Sequence, residues 1–427
     1  MHKSWKLNLN LFTLLLLSLN SNAAEVDYGV RLALTHQDNV NLEPVPEESA
    51  FSKSIKGKVT LKEDAANFTA DVVASLESIN YSDDKALDEN NGELFAELLW
   101  VIKPKQFEWY LSDKYTQSAI DLFDALSPTN KQNINAFITG PNYLVRFDNK
   151  NTIRLEGRLS DNSFEKTTNN NRLSGSVIRV YGVNANLNFG LNYSAEKTDY
   201  EDEINNSNNE RDDFFFYLNY KKGLNTLNLE AGKINNNNDN GDEVDLSRYL
   251  FSLQNQRTRT SNVRIVYENS LSDTGAELLS AEELVAIDND TLIVTSNDIF
   301  VKENFRFIYN KQTTFGDLSL TVGKSYNDYT IQQSNDHKVE SVNISSITGF
   351  TERSSLEFKA GYEEMSFDDA SVNRVDEDIK YSLFYTFRAK RNYNLRFDAV
   401  SLARKSTNAE ENYDDLKLMV AIEYVSR

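Results

Sequence analysis

No cysteine occurs in the 427-residue chain, which excludes a disulfide scaffold and a cysteine-linked lipid anchor. Five prolines and sixteen glycines, scattered along the chain, mark no linker at which it would divide, so one repetitive domain is the simplest organisation. Histidines number three, and His36 and His337, the two beyond the first residues, fall in expected surface loops without metal-ligand spacing. No serine is singled out beside them, and no cofactor motif is present. An enzyme, a metal site and a bound cofactor are therefore not expected. Beyond residue 24 no apolar run is long enough to cross a bilayer as a helix.

What is present begins with MHKSWKLNLNLFTLLLLSLNSNAA. Lys3 and Lys6 precede an apolar core from Leu11 to Leu19, and the small residues Ser21, Ala23 and Ala24 follow. This reads as a signal peptide over residues 1–24, since nine core residues are too few for a spanning anchor. A single domain is then expected over 25–427.

That domain alternates. In NANLNFGLNYS, residues 184–194, Ala185, Leu187, Phe189, Leu191 and Tyr193 share one parity, and Asn186, Asn188, Gly190, Asn192 and Ser194 hold the other. Successive strand residues point to opposite faces, so one face is apolar and the other carries amides. The pattern returns in Val26 to Leu34, Leu94 to Ile102, Leu356 to Tyr362, Ile379 to Phe387, Leu395 to Ala399 and Leu416 to Tyr424. Each run is about ten residues, the length a tilted strand needs to cross a bilayer. Short links at 63–67, 103–105, 149–151, 182–184, 222–225, 255–260, 311–316, 351–354 and 389–392 alternate with long polar ones at 36–50, 80–92, 119–141, 163–171, 198–212, 235–245, 271–299, 327–338, 367–376 and 405–413. The expected fold is all-β: a transmembrane antiparallel up-and-down β-barrel of about 18–20 strands. Twenty follows from the parse, and eighteen is its nearest rival because 172–181 and 246–260 are poorly patterned. A soluble β-sandwich also alternates, but it needs strands apolar on both faces for a closed core of this size. In hydrocarbon, backbone groups must pair within the protein, so a sheet crosses only if it closes, with apolar side chains toward lipid and amides toward water.

Charge separates by region. Setting aside Lys3 and Lys6 leaves 43 basic against 65 acidic residues, a formal charge of −22, with the surplus in the long loops. Residues 199–213 read DYEDEINNSNNERDD, and 239–245 read DNGDEVD. Such loops repel nucleic acid. They are either simply solvated or bridged to lipopolysaccharide phosphates through divalent cations. The calcium-loop likeness of 235–245 fails, because with Gly241 as the turn glycine the closing position is Ser247. The segment AELLSAEELVAID at 276–288 reads as a short helix able to fold over the mouth. On the polar parity, Arg154, Glu156 and Arg158 fall in one row, Glu357 and Lys359 in a second, and Arg396 and Asp398 in a third. These are the pore-lining candidates. Facing charges across a lumen would screen solutes by charge, whereas pairs within the wall would only satisfy one another.

Two stretches carry a family resemblance. HQDNVNLEPVPEESAF at 36–51 resembles the start of outer-membrane barrels of the β-barrel porin 2 type, including EpsL-like and PEP-CTERM-associated members. LSPTNKQNINAFITGPNYLVRF at 126–147 resembles their third loop re-entering the wall. The resemblance implies a Gram-negative outer-membrane barrel with loops facing the cell exterior, tied to exopolysaccharide export, and it brings no catalytic residues. Expected partners are outer-membrane lipid and lipopolysaccharide, the barrel-assembly machinery, and polysaccharide or polysaccharide-export proteins. The chain ends EYVSR, so the terminal aromatic typical of assembly signals is displaced to Tyr424. Two functional classes stay open: a channel for polysaccharide or small solutes, and a non-conducting barrel that adheres through acidic loops.

Overall fold

The computed structural model describes residues 24–426 apart from 45–47, 83–85, 122–123, 126, 202–207, 240, 242, 274–276, 278–298, 331–332 and 368–373. The expected signal peptide lies outside the described residues except for Ala24, and so does the expected helix at 276–288 except for Glu277.

Twenty strands follow one another: β1 (Glu25–Gln37), β2 (Ala50–Ala65), β3 (Phe68–Tyr81), β4 (Glu89–Lys103), β5 (Phe107–Ala119), β6 (Lys131–Arg146), β7 (Asn151–Phe164), β8 (Asn170–Asn184), β9 (Leu187–Tyr200) and β10 (Asn209–Lys222). The second half comprises β11 (Asn225–Asn238), β12 (Glu243–Thr258), β13 (Ser261–Ser272), β14 (Phe300–Thr313), β15 (Gly316–Tyr329), β16 (His337–Thr351), β17 (Ser354–Phe367), β18 (Val375–Lys390), β19 (Tyr393–Ser406) and β20 (Tyr413–Val425). Each pairs antiparallel with its successor, and β20 pairs back onto β1 from Gly29↔Val425 to Gln37↔Lys417. The sheet is thus closed and leaves no edge strand, the condition for a sheet to sit in hydrocarbon. Twenty tilted strands set a ring roughly 40 Å across between backbones.

Side-chain parity shows which face meets lipid. On β1, Val26, Tyr28, Val30, Leu32 and Leu34 point outward and are exposed, and across the seam so are Leu418, Val420 and Ile422. Phe189, Leu191 and Tyr193 continue this face on β9. About nine residues per strand form the apolar band, enough for roughly 25 Å of bilayer at the usual tilt. Tyrosines mark its borders. Tyr28, Tyr393 and Tyr424 cluster at the short-turn edge, with Tyr424 6.0 Å from Tyr28 and 5.4 Å from Tyr393 between ring centres. At the long-loop edge the Tyr193 hydroxyl donates to Asp212 at 2.7 Å, and that of Tyr267 to Glu303 at 2.9 Å.

The alternation of short and long links holds, and the count is twenty, with 172–181 and 246–258 both in the wall. Several boundaries move. The strands run 12–16 residues rather than ten, because they continue past the lipid band on the long-loop side, where the outward residues are polar. Residues 131–141 belong to β6 and not to a loop. There the inward face is apolar, with Ile134, Ala136 and Ile138, while Asn133 and Asn135 face out, so the expected lipid-facing signal is inverted above the band. The acidic stretch 209–213 and the asparagines 235–238 are likewise wall. In the 184–194 stretch, Ala185 and Asn186 make the turn, and only Asn188 and Asn192 of its asparagines face inward.

Candidate functional site

The lumen is the one concave surface the fold makes from all its strands, and its two ends differ. Toward the short turns, inward residues are in contact with open space: Gln254, Arg306, Asn310 and Asn343 are all exposed. Toward the long loops, inward residues are buried, among them Asn170, Thr198, Asn209, Asn236 and Tyr329. Neighbouring inward side chains bury some of them, as Asn162 and Arg172 do for Asn170, and chain leaning over the inner faces buries others.

Part of that cover is the end of β13. Arg172 of β8 grips Asp273 with two parallel bonds, Nη1 to Oδ2 at 2.8 Å and Nη2 to Oδ1 at 2.5 Å, and Glu196 of β9 lies 3.7 Å from the same guanidinium. Arg211 of β10 donates to the Leu271 carbonyl at 3.0 Å, while Leu271 packs with Ile234 of β11 and Ile299. Four strands lie between β8 and β13, so residues 271–273 form a strap across their inner faces. Under it Arg211 pairs with Asp213 at 2.7 Å, and Arg248 joins Asp213 at 3.5 Å and Glu230 at 2.7 Å while lying over the Phe215 ring at 4.2 Å. Paired, forked charges of this kind tolerate burial where lone ones do not.

The other side of the mouth is lined differently. Phe300, Tyr329, His337 and Phe367 form an inward arc over β14 to β17, with centroid spacings of 5.0, 6.0 and 6.2 Å. His337, expected in a loop, begins β16 and is 1% exposed, with Nε2 3.1 Å from Asn327 and Nδ1 2.7 Å from the Asn335 carbonyl. Arg374 lies over Phe367 at 5.6 Å and bonds Asp376 at 2.7 Å and Glu411 at 3.2 Å. Burial pushes the Glu411 carboxyl upward, against the pull of Arg374. Both resemblance segments are also loop-side fittings. Asn39, wholly buried, ties 38–43 to the Asp415 carboxylate and the Asp414 carbonyl, and Asn130 donates to the Asp121, Asp124 and Ala125 carbonyls.

All seven pore-lining candidates face inward, near the short-turn end. They do not confront one another across the lumen. Each bonds the residue two places along its own strand: Arg154 with Glu156 at 2.5 Å, Lys359 with Glu357 at 3.1 Å, and Arg396 with Asp398 at 2.8 Å. Lys359 and Arg396 both lie over Phe384, at 5.3 and 5.0 Å. The two arginines of β7 are not equivalent. Arg154 keeps 43% of its side chain exposed, whereas Arg158 keeps 14%. Arg158 donates to the Pro141 and Gly157 carbonyls at 3.1 and 2.8 Å and to Asn142 Oδ1 at 2.6 Å, and lies over Tyr110. It mends a gap that Pro141 opens in the ladder, because proline has no N–H to give and a Cβ at Gly140 would strike the Gly157 carbonyl.

Arg264 and Arg306 face inward on β13 and β14 and escaped the sequence reading. Their signal is the one that found Arg154: a charge between two apolar neighbours, Val263-Arg264-Ile265 and Phe305-Arg306-Phe307. Ten strands away, on the facing wall, Asp71, Glu93 and Glu97 point inward from β3 and β4. Lys56, Lys58 and Lys62 point inward beside them on β2, so that wall carries both signs of charge. Among the described residues no group of His, Cys, Asp and Glu is arranged to hold a metal.

No family model matches the chain, and no curated protein does. Solved structures similar in fold include a mutant of the ferric enterobactin receptor PfeA from Pseudomonas aeruginosa, with 8% identity and a TM-score of 0.50 over 95% of this chain and 81% of that one. The FrpB iron transporter from Neisseria meningitidis, in its apoprotein form, gives 9% identity and a TM-score of 0.49 over 96% of this chain and 82% of that one. At such identities the likeness concerns the barrel alone.

Proposed function

We propose that this barrel is an outer-membrane channel for hydrophilic solutes. The observation that carries the reading is the exposure of Gln254, Arg306, Asn310 and Asn343 inside a closed twenty-strand wall. Barrels of sixteen to eighteen strands already enclose water, so a wall of twenty has room for it even where the strap takes part of the section. Passage of a polysaccharide strand is the more specific form of this reading. It is supported by the resemblance at 36–51 and 126–147 and by the neutral amides and hydroxyls of the inner wall, which can exchange hydrogen bonds with sugar hydroxyls as water does. In this setting the apolar band faces membrane lipid, the acidic long loops face the lipopolysaccharide side, and the barrel-assembly machinery inserts the barrel. Swelling of proteoliposomes in small neutral sugars tests the channel. Swelling whose rate falls with solute size is expected, and vesicles no leakier than protein-free ones would favour the adhesive, non-conducting alternative.

A further inference from the structure

We propose that the lumenal wall from β12 to β16, at the short-turn mouth, binds carboxylate-bearing oligosaccharides, a substrate class that rests on the channel reading above. A hollow of about 400 Å³ lies there. Asn262, Asn310 and Ser319, all inward, supply amide and hydroxyl groups, and of its charged lining residues Arg259 and Lys311 are cations while Asp317 is an anion. The two lumenal arginines continue it. Arg264 is two residues from Asn262 on the same face of β13, and Arg306 is four from Asn310 on β14, roughly 13 Å along the strand. Arg306 is exposed, and no ion-pair or hydrogen-bond partner for it occurs among the described residues. The wall beside it is low, because its register partner is Gly323 and the next strand offers Ser341.

Arg154, Lys359 and Arg396 are each taken up by a carboxylate two residues away, whereas Arg306 has Asn304 and Ile308 in those positions. A guanidinium fork accepts a carboxylate through two parallel bonds, and amides and hydroxyls both donate to and accept from sugar hydroxyls. A polymer carrying both groups satisfies the whole trough. A neutral sugar leaves Arg306 unmatched, and a bare polyanion leaves the amides unmatched.

The test uses the full-length protein in planar bilayers, with oligogalacturonate, a malto-oligosaccharide of equal length and a polyacrylate of equal charge added on the short-turn side. Oligogalacturonate should block the current at a concentration about tenfold below either comparator. Arg306→Gln, alone and with Arg264→Gln, should raise that concentration about tenfold and leave the malto-oligosaccharide value unchanged. Raising the salt toward 1 M, where the Debye length shrinks to about 3 Å, should erase the difference. Equal block by all three probes, or block indifferent to Arg306, overturns the trough. Calorimetric titration of the folded barrel in detergent is the second readout. The same tenfold preference without any current would overturn the channel reading and keep the binding site, and no preference would overturn the site whether or not current flows.

Discussion

Asp273→Ala is expected to raise single-channel conductance and to open the chain after β13 to proteolysis. Arg172 has 6% of its side chain exposed and Asp273 10%, so the substitution leaves a buried guanidinium with Glu196 at 3.7 Å as its nearest carboxylate. Removing one partner of a buried pair costs about 3–5 kcal/mol. What remains is the pairing of Leu271 and Ser272 with Val301 and Phe300 of β14, the Arg211 bond to the Leu271 carbonyl, worth about 1.5–3 kcal/mol, and the small Ile234, Leu271 and Ile299 cluster. Leu271 and Ser272 should therefore stay on β14, while Asp273, which no longer has its carboxylate on Arg172, should come away from β8. Cleavage at Glu277 by a glutamate-specific protease reports the release, since Glu277 is held in place by Ser272 and Lys302 at 2.6 and 2.5 Å. Exchanging the charges, Arg172→Asp with Asp273→Arg, should restore both conductance and protection. If the single variant matched the parent in both readouts, the bridge would not be what holds the strap.

A second large effect separates the two β7 arginines. Arg158→Ala removes three bonds at 2.6–3.1 Å from a largely buried cation and leaves the Pro141 and Gly157 carbonyls without their donor. A loss of about 3 kcal/mol of barrel stability is expected, read as an earlier midpoint in urea or a lower temperature of the heat-modified gel shift. Arg154→Glu should behave in the opposite way. Its exposed bridge to Glu156 adds little to stability, about 1 kcal/mol at most, while the reversal places a negative charge on the water-filled side. Ion preference should move toward cations, most visibly near 10 mM salt, where the Debye length is about 30 Å. Equal stability loss in both variants would mean that Arg154 is as firmly built into the wall as Arg158.

The wall was legible because lipid imposes a strict rule: outward positions must be apolar at every second residue, and closure forbids edges. Val26 to Leu34, Leu187 to Tyr193 and Leu416 to Tyr424 obey it, and the seven lumenal charges of β7, β17 and β19 follow from the same parity. The rule stops at the edge of the bilayer. Above it the outward face is wet and the inward side chains are buried, so Ile134 and Ala136 point inward, and residues 131–141 and 209–213 read as loop although they are strand. Partner choice was legible only as one of two alternatives. Parity places Arg154 and Arg396 in the lumen, and of charges facing across it or paired within the wall, the pairing is what is found. The contact between Arg172 and Asp273 spans 101 residues and depends on how one strand end leans across four others, which no local pattern encodes.

A channel requires that water run through the barrel from one mouth to the other. Planar-bilayer recording of the purified, heat-modifiable protein measures it directly. Discrete current steps are predicted, larger in Asp273→Ala than in the parent. A silent bilayer with both proteins, each shown to be folded, would contradict a continuous aqueous lumen.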